Sequence, residues 1–420
     1  MSLMKVCVLA LTAIFLLFAA DQRQLALTLK AQSDFARVEM TTRPRIPEAQ
    51  TCVQSQAAAL AVGLPEDRSL LYYRKGYCVI AGAAASRDAG QFQAAAENFD
   101  QAVEAWPGRA RKGRKGAPPE PVPAALRLFG GIARLQAVAG SAIPVGARQE
   151  ITAALESASC SADLVPAGFC SQLLAAGAQW LGWIALRGDQ MEEASRYFAG
   201  APASGWSEWV DGRRAFADAR FGDAAAHYAA AIEVWKRIWQ GEGPTLLQAL
   251  GPRPQDAAAL ADWGGARMLA GDLAGAILTL DASIQADAAS PHALYLRARA
   301  KELDGRLDAA LTDYNLASRT AFAAAVDLAS GEAHLYHGIV LYRRQDFARA
   351  EEEFSSALNF EMTGSLRPDA RAWRQLAAVA GGSCGTSRQS LNQALARVSP
   401  FFPIDEARSL ASACGAEPLQ

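Results

Sequence analysis

One skeleton recurs six times along the chain: a small residue, alanine twelve positions later, a bulky residue four after that, and a second small residue three further on. The first small residues are Ala83, Gly182, Gly212, Gly264, Ala298 and Gly338. The alanines are Ala95, Ala194, Ala224, Ala276, Ala310 and Ala350, and the bulky residues Phe99, Phe198, Tyr228, Leu280, Tyr314 and Phe354. Ala102, Ala201, Ala231, Ser283, Ala317 and Ala357 complete the sets. This spacing describes two helices that touch where their side chains are smallest, with one large side chain wedged between them.

Alanine is abundant here, so the bulky position carries the discrimination: aromatics are 8% of the chain but hold five of the six wedges. Turn signals stand ahead of the central alanine at Gly90-Gln91-Phe92, Gly271-Asp272-Leu273, Gly305-Arg306-Leu307 and Gln345-Asp346-Phe347. There a helix stop, a polar turn residue and an apolar re-entry follow one another. With the six skeletons, these residues resemble the tetratricopeptide repeat, a helix–turn–helix unit of about 34 residues. The windows begin near 76, 175, 205, 257, 291 and 331 and cover about half the chain, with 257 and 291 at full spacing. Only the first carries the family's closing proline, Pro107, and the 175 window is short. The resemblance implies an all-α, right-handed superhelical solenoid of antiparallel helix pairs.

Solenoids grow by stacking, so a length of 420 residues does not divide into domains by size. A 51% hydrophobic content supports a folded chain, and a net charge of −2 gives no field towards nucleic acid. The expected organisation is a signal or anchor over 1–22, a helical stem over 23–50, and a first helical repeat region over 51–109. A basic Pro/Gly loop follows over 110–123, then the repeat solenoid over 124–364 and a helical cap over 365–420. Residues near 124–140 and 145–158 read as one degenerate repeat, and 240–254 as a second loop.

Val6 to Ala20 is apolar except for Thr12, with Lys5 before it and Asp21-Gln22-Arg23 after. Such a helix spans roughly 22 Å against ~30 Å of hydrocarbon, which favours a secretory signal. Cleavage after Ala20 or Ala19 would put Phe18 or Leu17 where a small residue is wanted, which favours an uncleaved anchor over residues 4–20. Both readings export the chain, to a membrane-anchored or secreted state with its bulk in the periplasm or another extracytoplasmic space. A buried N-terminal helix in a cytosolic solenoid is the alternative.

Cys7 lies inside the apolar run, and the other six cysteines form three local couples: Cys52 with Cys78, Cys160 with Cys170, and Cys384 with Cys414. Six cysteines permit 15 pairings, so connectivity stays open, as does a reading as buried free thiols. Paired thiols agree with an oxidising compartment.

The run Arg109 to Lys115 reads either as a patch for anionic ligands or as a soluble insertion. Gly381-Gly382-Ser383-Cys384-Gly385 has the letters of a nucleophile elbow, but a helix precedes it and every histidine comes before Ser383, so the glycines are a helix stop. His334 and His337 sit one helical turn apart, and no carboxylate partner is evident, so packing is the expectation. No catalytic residue, metal ligand or cofactor site is expected, and the chain reads as a binding protein and not an enzyme.

The resemblance further implies that the second, fifth, ninth and twelfth positions of each first helix line a concave face. These give Trp206, Trp209, Arg213 and Phe216 from one window, and His292, Tyr295, Arg299 and Glu302 from another. Glu332, Leu335, Ile339 and Tyr342 come from the last, and the 257 window gives a smooth floor of Ala258, Ala261, Gly265 and Met268. Candidate partner-binding residues are therefore Trp183, Trp206, Trp209, Arg213, Phe216, Tyr295, Arg299 and Tyr342, of which Trp209, Arg213, Phe216, Tyr295, Arg299 and Tyr342 are expected to share one concave surface and stay partly exposed. For Trp206 and Trp209, packing against the shortened preceding unit is the alternative. The expected function is a membrane-tethered scaffold that holds a protein or peptide segment. A glycan- or wall-polymer-binding subunit of an envelope assembly is the rival, and nucleic acid is not expected.

Overall fold

The computed structural model describes residues 22–39, 45–62, 68–106, 122–138, 143–157, 167–200, 204–239, 244–324, 330–360 and 366–414, with single residues 43, 165 and 362. The apolar run at 6–20, most of the basic loop with Arg109–Lys115, Cys160 and Ala201 lie outside the described residues.

Helices account for nearly all of the described chain, and no strand occurs among the described residues. They are α1 (22–39), α2 (Ile46–Val62), α3 (Arg68–Ser86), α4 (Ala89–Ala105), α5 (Ala124–Ala137) and α6 (Val145–Ser157). Next come α7 (Ala167–Arg187), α8 (Met191–Ala199), α9 (Trp206–Ala217), α10 (Phe221–Trp239), α11 (Leu246–Leu250), α12 (Asp256–Leu269) and α13 (Leu273–Ala286). The last are α14 (Pro291–Leu303), α15 (Leu307–Ala324), α16 (Gly331–Arg343), α17 (Phe347–Asn359), α18 (Leu366–Ala380), α19 (Gly385–Ala394) and α20 (Ile404–Ala413).

The turns within pairs share one chemistry. Asp189, Ala219, Gly271, Gly305 and Gln345 all have positive φ, each just past a first helix. In each, the next residue's N–H reaches back to the helix: Gln190 to Ala185 O, Arg220 to Ala215 O, Asp272 to Arg267 O, Arg306 to Lys301 O and Asp346 to Leu341 O, at 2.8–3.0 Å. These are Schellman stops, in which a left-handed residue lets the chain reverse while orphan carbonyls stay bonded. Gly271, Gly305 and Gln345 sit where the sequence placed turns, whereas Asp189 and Ala219 are left-handed without glycine. The same motif ends α18 at Gly382 (φ 95°), with Ser383 N–H on Ala378 O at 2.8 Å, so the serine follows a helix stop.

Reversal brings small and bulky positions together. A Cβ built on Gly182, Gly212, Gly264 or Gly338 would lie 2.7, 2.6, 2.5 and 2.6 Å from Phe198, Tyr228, Leu280 and Phe354 respectively. Only glycine admits the wedge at that distance. All six central alanines are fully buried. The pairs run antiparallel, because Ser69 Oγ at the start of α3 donates to Ala102 O near the end of α4 (2.8 Å), and Ser283 Oγ donates to Ala257 O (2.7 Å). The fold is thus all-α and tetratricopeptide-like.

The first pair departs from the expected register. Its turn is at Arg87 (φ 59°), not at Gly90, and Asp88 caps α4 by accepting from Gln91 N–H at 3.1 Å. Gly90 lies inside α4, and Phe99 rests against Gly76, farther from the turn than Ala83. The turn comes three residues early and the contact moves seven residues, from Ala83 to Gly76, about two helical turns, so the same helix face still meets Phe99.

The chain divides into two compact units, Met1–Val210 with Glu233–Arg253, and Asp211–Ile232 with Pro254–Gln420. In the first, Phe35 of α1 packs edge-on against Tyr73 and Tyr77, and Phe99 stacks on Phe129 with centroids 5.2 Å apart. Helix α1 is therefore part of this core: Ala31 is buried, and its carbonyl accepts from Gln56 Nε2. Cys52 and Cys78 join α2 to α3 with Cα atoms 5.9 Å apart. Among the described residues, Phe169–Arg187 of α7 is long and apolar enough to cross a membrane, and its Leu173, Ala176, Trp180, Leu181 and Ile184 are buried in this core. In the second unit, Trp373 of α18 closes the repeats, stacked on Phe354 and edge-on to Tyr342 and Phe402. Cys384 and Cys414 join the start of α19 to the end of α20, with Cα atoms 5.4 Å apart. Cys170 is also disulfide-bonded.

Candidate partner-binding face

Four successive first helices of the second unit meet one stretch of polypeptide, Ser399–Glu406, which follows α19 and runs into the first turn of α20. From α9, Phe216 approaches the Phe401 ring, with centroids 5.9 Å apart. From α12, Gly265 lies beneath the same ring, where a Cβ would come within 3.1 Å. From α14, Arg299 Nε donates to the Phe401 carbonyl at 3.1 Å. From α16, Tyr342 OH donates to Glu406 at 2.9 Å, and Arg343 Nη1 spans both Glu406 oxygens at 2.7 Å.

Charge is organised around this contact. Glu302 accepts from Arg299 Nη1 (2.6 Å) and Tyr314 OH (2.7 Å), and its other oxygen lies 2.6 Å from Arg343 Nη2. Arg343 also lies over the rings of Tyr342 and Trp373. At the start of the stretch, Asp369 of α18 accepts from Ser399 N–H (2.7 Å) and Oγ–H (2.5 Å). Burial pushes the Asp369 carboxyl up to about 6, against the opposing pull of those bonds and of Arg299. The face thus holds a backbone carbonyl, an aromatic ring and a carboxylate, while Trp373 of α18 takes the adjacent Phe402 ring.

A second row lies nearer the starts of the same helices: Arg213, Asp262, His292 and Glu332, all half-buried. Burial holds the Asp262 carboxyl above its ordinary range despite His292 and Arg213, and it depresses His292 despite Asp262 and Glu332. The row alternates in charge potential and reaches solvent.

In the first unit the tryptophans form a cluster of their own. Trp206 stacks on Phe198, and its Nε1 donates to Pro252 O at 3.2 Å. Trp209 packs on Trp235, and Trp183 sits edge-on to Trp180 with Arg187 over its ring.

Four expected exposures are corrected: Tyr295, Arg299, Tyr342 and Trp209 retain only 2, 5, 4 and 8% of their accessibility, and the candidate Trp206 retains 6%. Tyr295 is enclosed between Tyr314 and Tyr336, and Arg299 and Tyr342 lie beneath the C-terminal segment. Trp206 packs on Phe198 of the shortened preceding unit, whereas Trp209 packs on Trp235 of α10, in its own helix pair. Trp183, Arg213 and Phe216 remain half-buried. Asp262 escaped the sequence reading because it lies one position beyond Ala261, which is itself buried in the floor. Glu406 and Phe401 escaped because nothing in a repeat pattern says where a cap will lie. His334 and His337 do have a carboxylate between them, Glu353, at 2.7 and 3.3 Å. Among the described residues no group of three or more His, Cys, Asp or Glu side chains could hold a metal ion.

No family model matches the chain, and no curated protein matches it. Among solved structures, it is similar to a tetratricopeptide repeat protein from Parabacteroides merdae, at 14% identity and TM-score 0.42, over 69% of this chain and 99% of that one. It is also similar to a thermophilic TPR protein of Thermus thermophilus, at 17% identity and TM-score 0.35, over 50% of this chain and 98% of that one.

Proposed function

We propose that the chain is an exported, membrane-tethered, non-catalytic scaffold that binds polypeptide through the first helices of its second unit. One observation carries the reading: that face already grips a stretch of polypeptide by backbone carbonyl, aromatic ring and carboxylate. Helical-repeat arrays offer extended surfaces of this kind. The row Arg213, Asp262, His292 and Glu332 is where a partner would meet the face beside the segment already there. Export and tethering rest on the apolar run at residues 6–20, within an expected anchor over 4–20, and on the paired cysteines.

The glycan reading is weaker, because the aromatic rings on this face are taken up by protein. Replacing Arg213 and His292 together with alanine should weaken capture of the partner without lowering the melting temperature, and neutral sugars should fail to displace it. Displacement by sugars, or capture indifferent to both substitutions, contradicts the reading.

A further inference from the structure

The segment on this face is held as a ligand is held. Phe401 is only half-buried, and its fixed points are a hydrogen bond from Arg299 to its carbonyl and the Gly265 floor. Glu406 is half-buried too and gives Tyr342 and Arg343 a carboxylate. The fit leaves something over: buried Arg343 Nε and Trp373 Nε1 have no acceptor among the described residues. A buried N–H without an acceptor carries a desolvation cost, so a better-matched segment would gain by supplying one. Both ends of the cap are joined by Cys384–Cys414, which keeps the occupant close to its site.

We infer that Ser399–Glu406 is a built-in, exchangeable occupant of this face. The foreign segment it stands in for has two adjacent aromatic residues followed within a turn or so by a carboxylate, with a further acceptor for Arg343. The inference rests on the reading of this face as a polypeptide-binding surface. The disulfide acts as a latch: it holds both ends of the cap together, so the tethered segment competes for the face at high effective concentration.

The test uses the full chain and a fluorescein-labelled synthetic peptide of residues 398–413, followed by anisotropy. Replacing Phe401 and Glu406 with alanine weakens the chain's own segment, and this variant should bind the peptide saturably. The unsubstituted oxidised chain should bind on the order of a hundredfold more weakly, because its own segment competes. Cys414→Ser alone should fall between them, which keeps the test valid if the double variant fails to fold. A peptide carrying the same two alanines should lose the binding. No binding to either variant while circular dichroism shows an intact helical fold would overturn the inference, as would equal binding of the altered peptide. A variant that forms dimers by light scattering would assign the face to a second copy and overturn the foreign partner. Failure here leaves the polypeptide reading standing if Arg213 and His292 still govern capture.

Discussion

Arg299 donates from Nε to the carbonyl of Phe401, 3.1 Å away and 102 residues later in the chain. The same guanidinium pairs with Glu302 at 2.6 Å, and both side chains are largely buried. Removing it leaves the Phe401 carbonyl without its donor and takes one of two guanidinium partners from Glu302, which keeps Arg343 and Tyr314. Arg299→Ala should therefore lower stability by about 2–3 kcal/mol, the upper part of the range for hydrogen bonds to charged groups. Half-buried Arg213 should tolerate alanine within about 1 kcal/mol. Thermal melting of the two variants checks the contrast, and equal, small effects would return Arg299 to the surface role its sequence position suggested.

Gly338 tests the wedge. Alanine in a helix interior gains up to about 1 kcal/mol over glycine by propensity, while overpacking costs about 1–3 kcal/mol. With a Cβ only 2.6 Å from the Phe354 ring, overpacking should win and Gly338→Ala should melt lower. Gly146, in the first turn of α6 with nothing within 4 Å of its Cβ, should take alanine without melting lower. Chemical denaturation of both variants decides.

The helix pairs were legible because small and bulky residues recur at helical spacing, and a close helix crossing imposes that spacing directly. The second-unit face was half legible: Phe216, Arg299 and Tyr342 do share one surface through Phe401 and Glu406. Their burial was not legible, because a repeat pattern describes contacts between neighbouring helices and is silent on which distant segment lies across them. The first pair was misregistered for a related reason, since a shift by whole helical turns keeps Ala95 and Phe99 facing the partner helix while the loop moves to Arg87 and the contact to Gly76.

Asp369 sets a pH dependence. Its folded carboxyl titrates at about 6 against a reference of 3.8, so the folded state binds more protons between these values. Its contribution to stability is therefore greatest below about pH 4, falls as pH rises, and levels off above about 6, an effect on the order of 3 kcal/mol. Asp369→Asn keeps an acceptor for Ser399 and should remove that slope. Melting curves of both proteins from pH 4 to 7 measure the difference, and parallel curves would contradict it.

The latch can be measured by itself. Replacing Cys384 and Cys414 with serine reopens a loop of sequence separation 30, worth about 3–4 kcal/mol in the chain-entropy model. Hydrogen exchange should rise in α19 and α20 and stay unchanged in α12 to α15. Peptide mapping without reductant should recover the Cys52–Cys78 and Cys384–Cys414 peptides as linked pairs.

The most direct test places a photo-crosslinking amino acid at position 292, on the face, and at position 278 as a control, where Leu278 of α13 is 70% exposed. Irradiation of intact cells should give an adduct at 292 that protease removes and glycosidases leave untouched, with no matching adduct at 278. An adduct sensitive only to glycosidases, or the same adduct from both positions, would contradict polypeptide binding by this face.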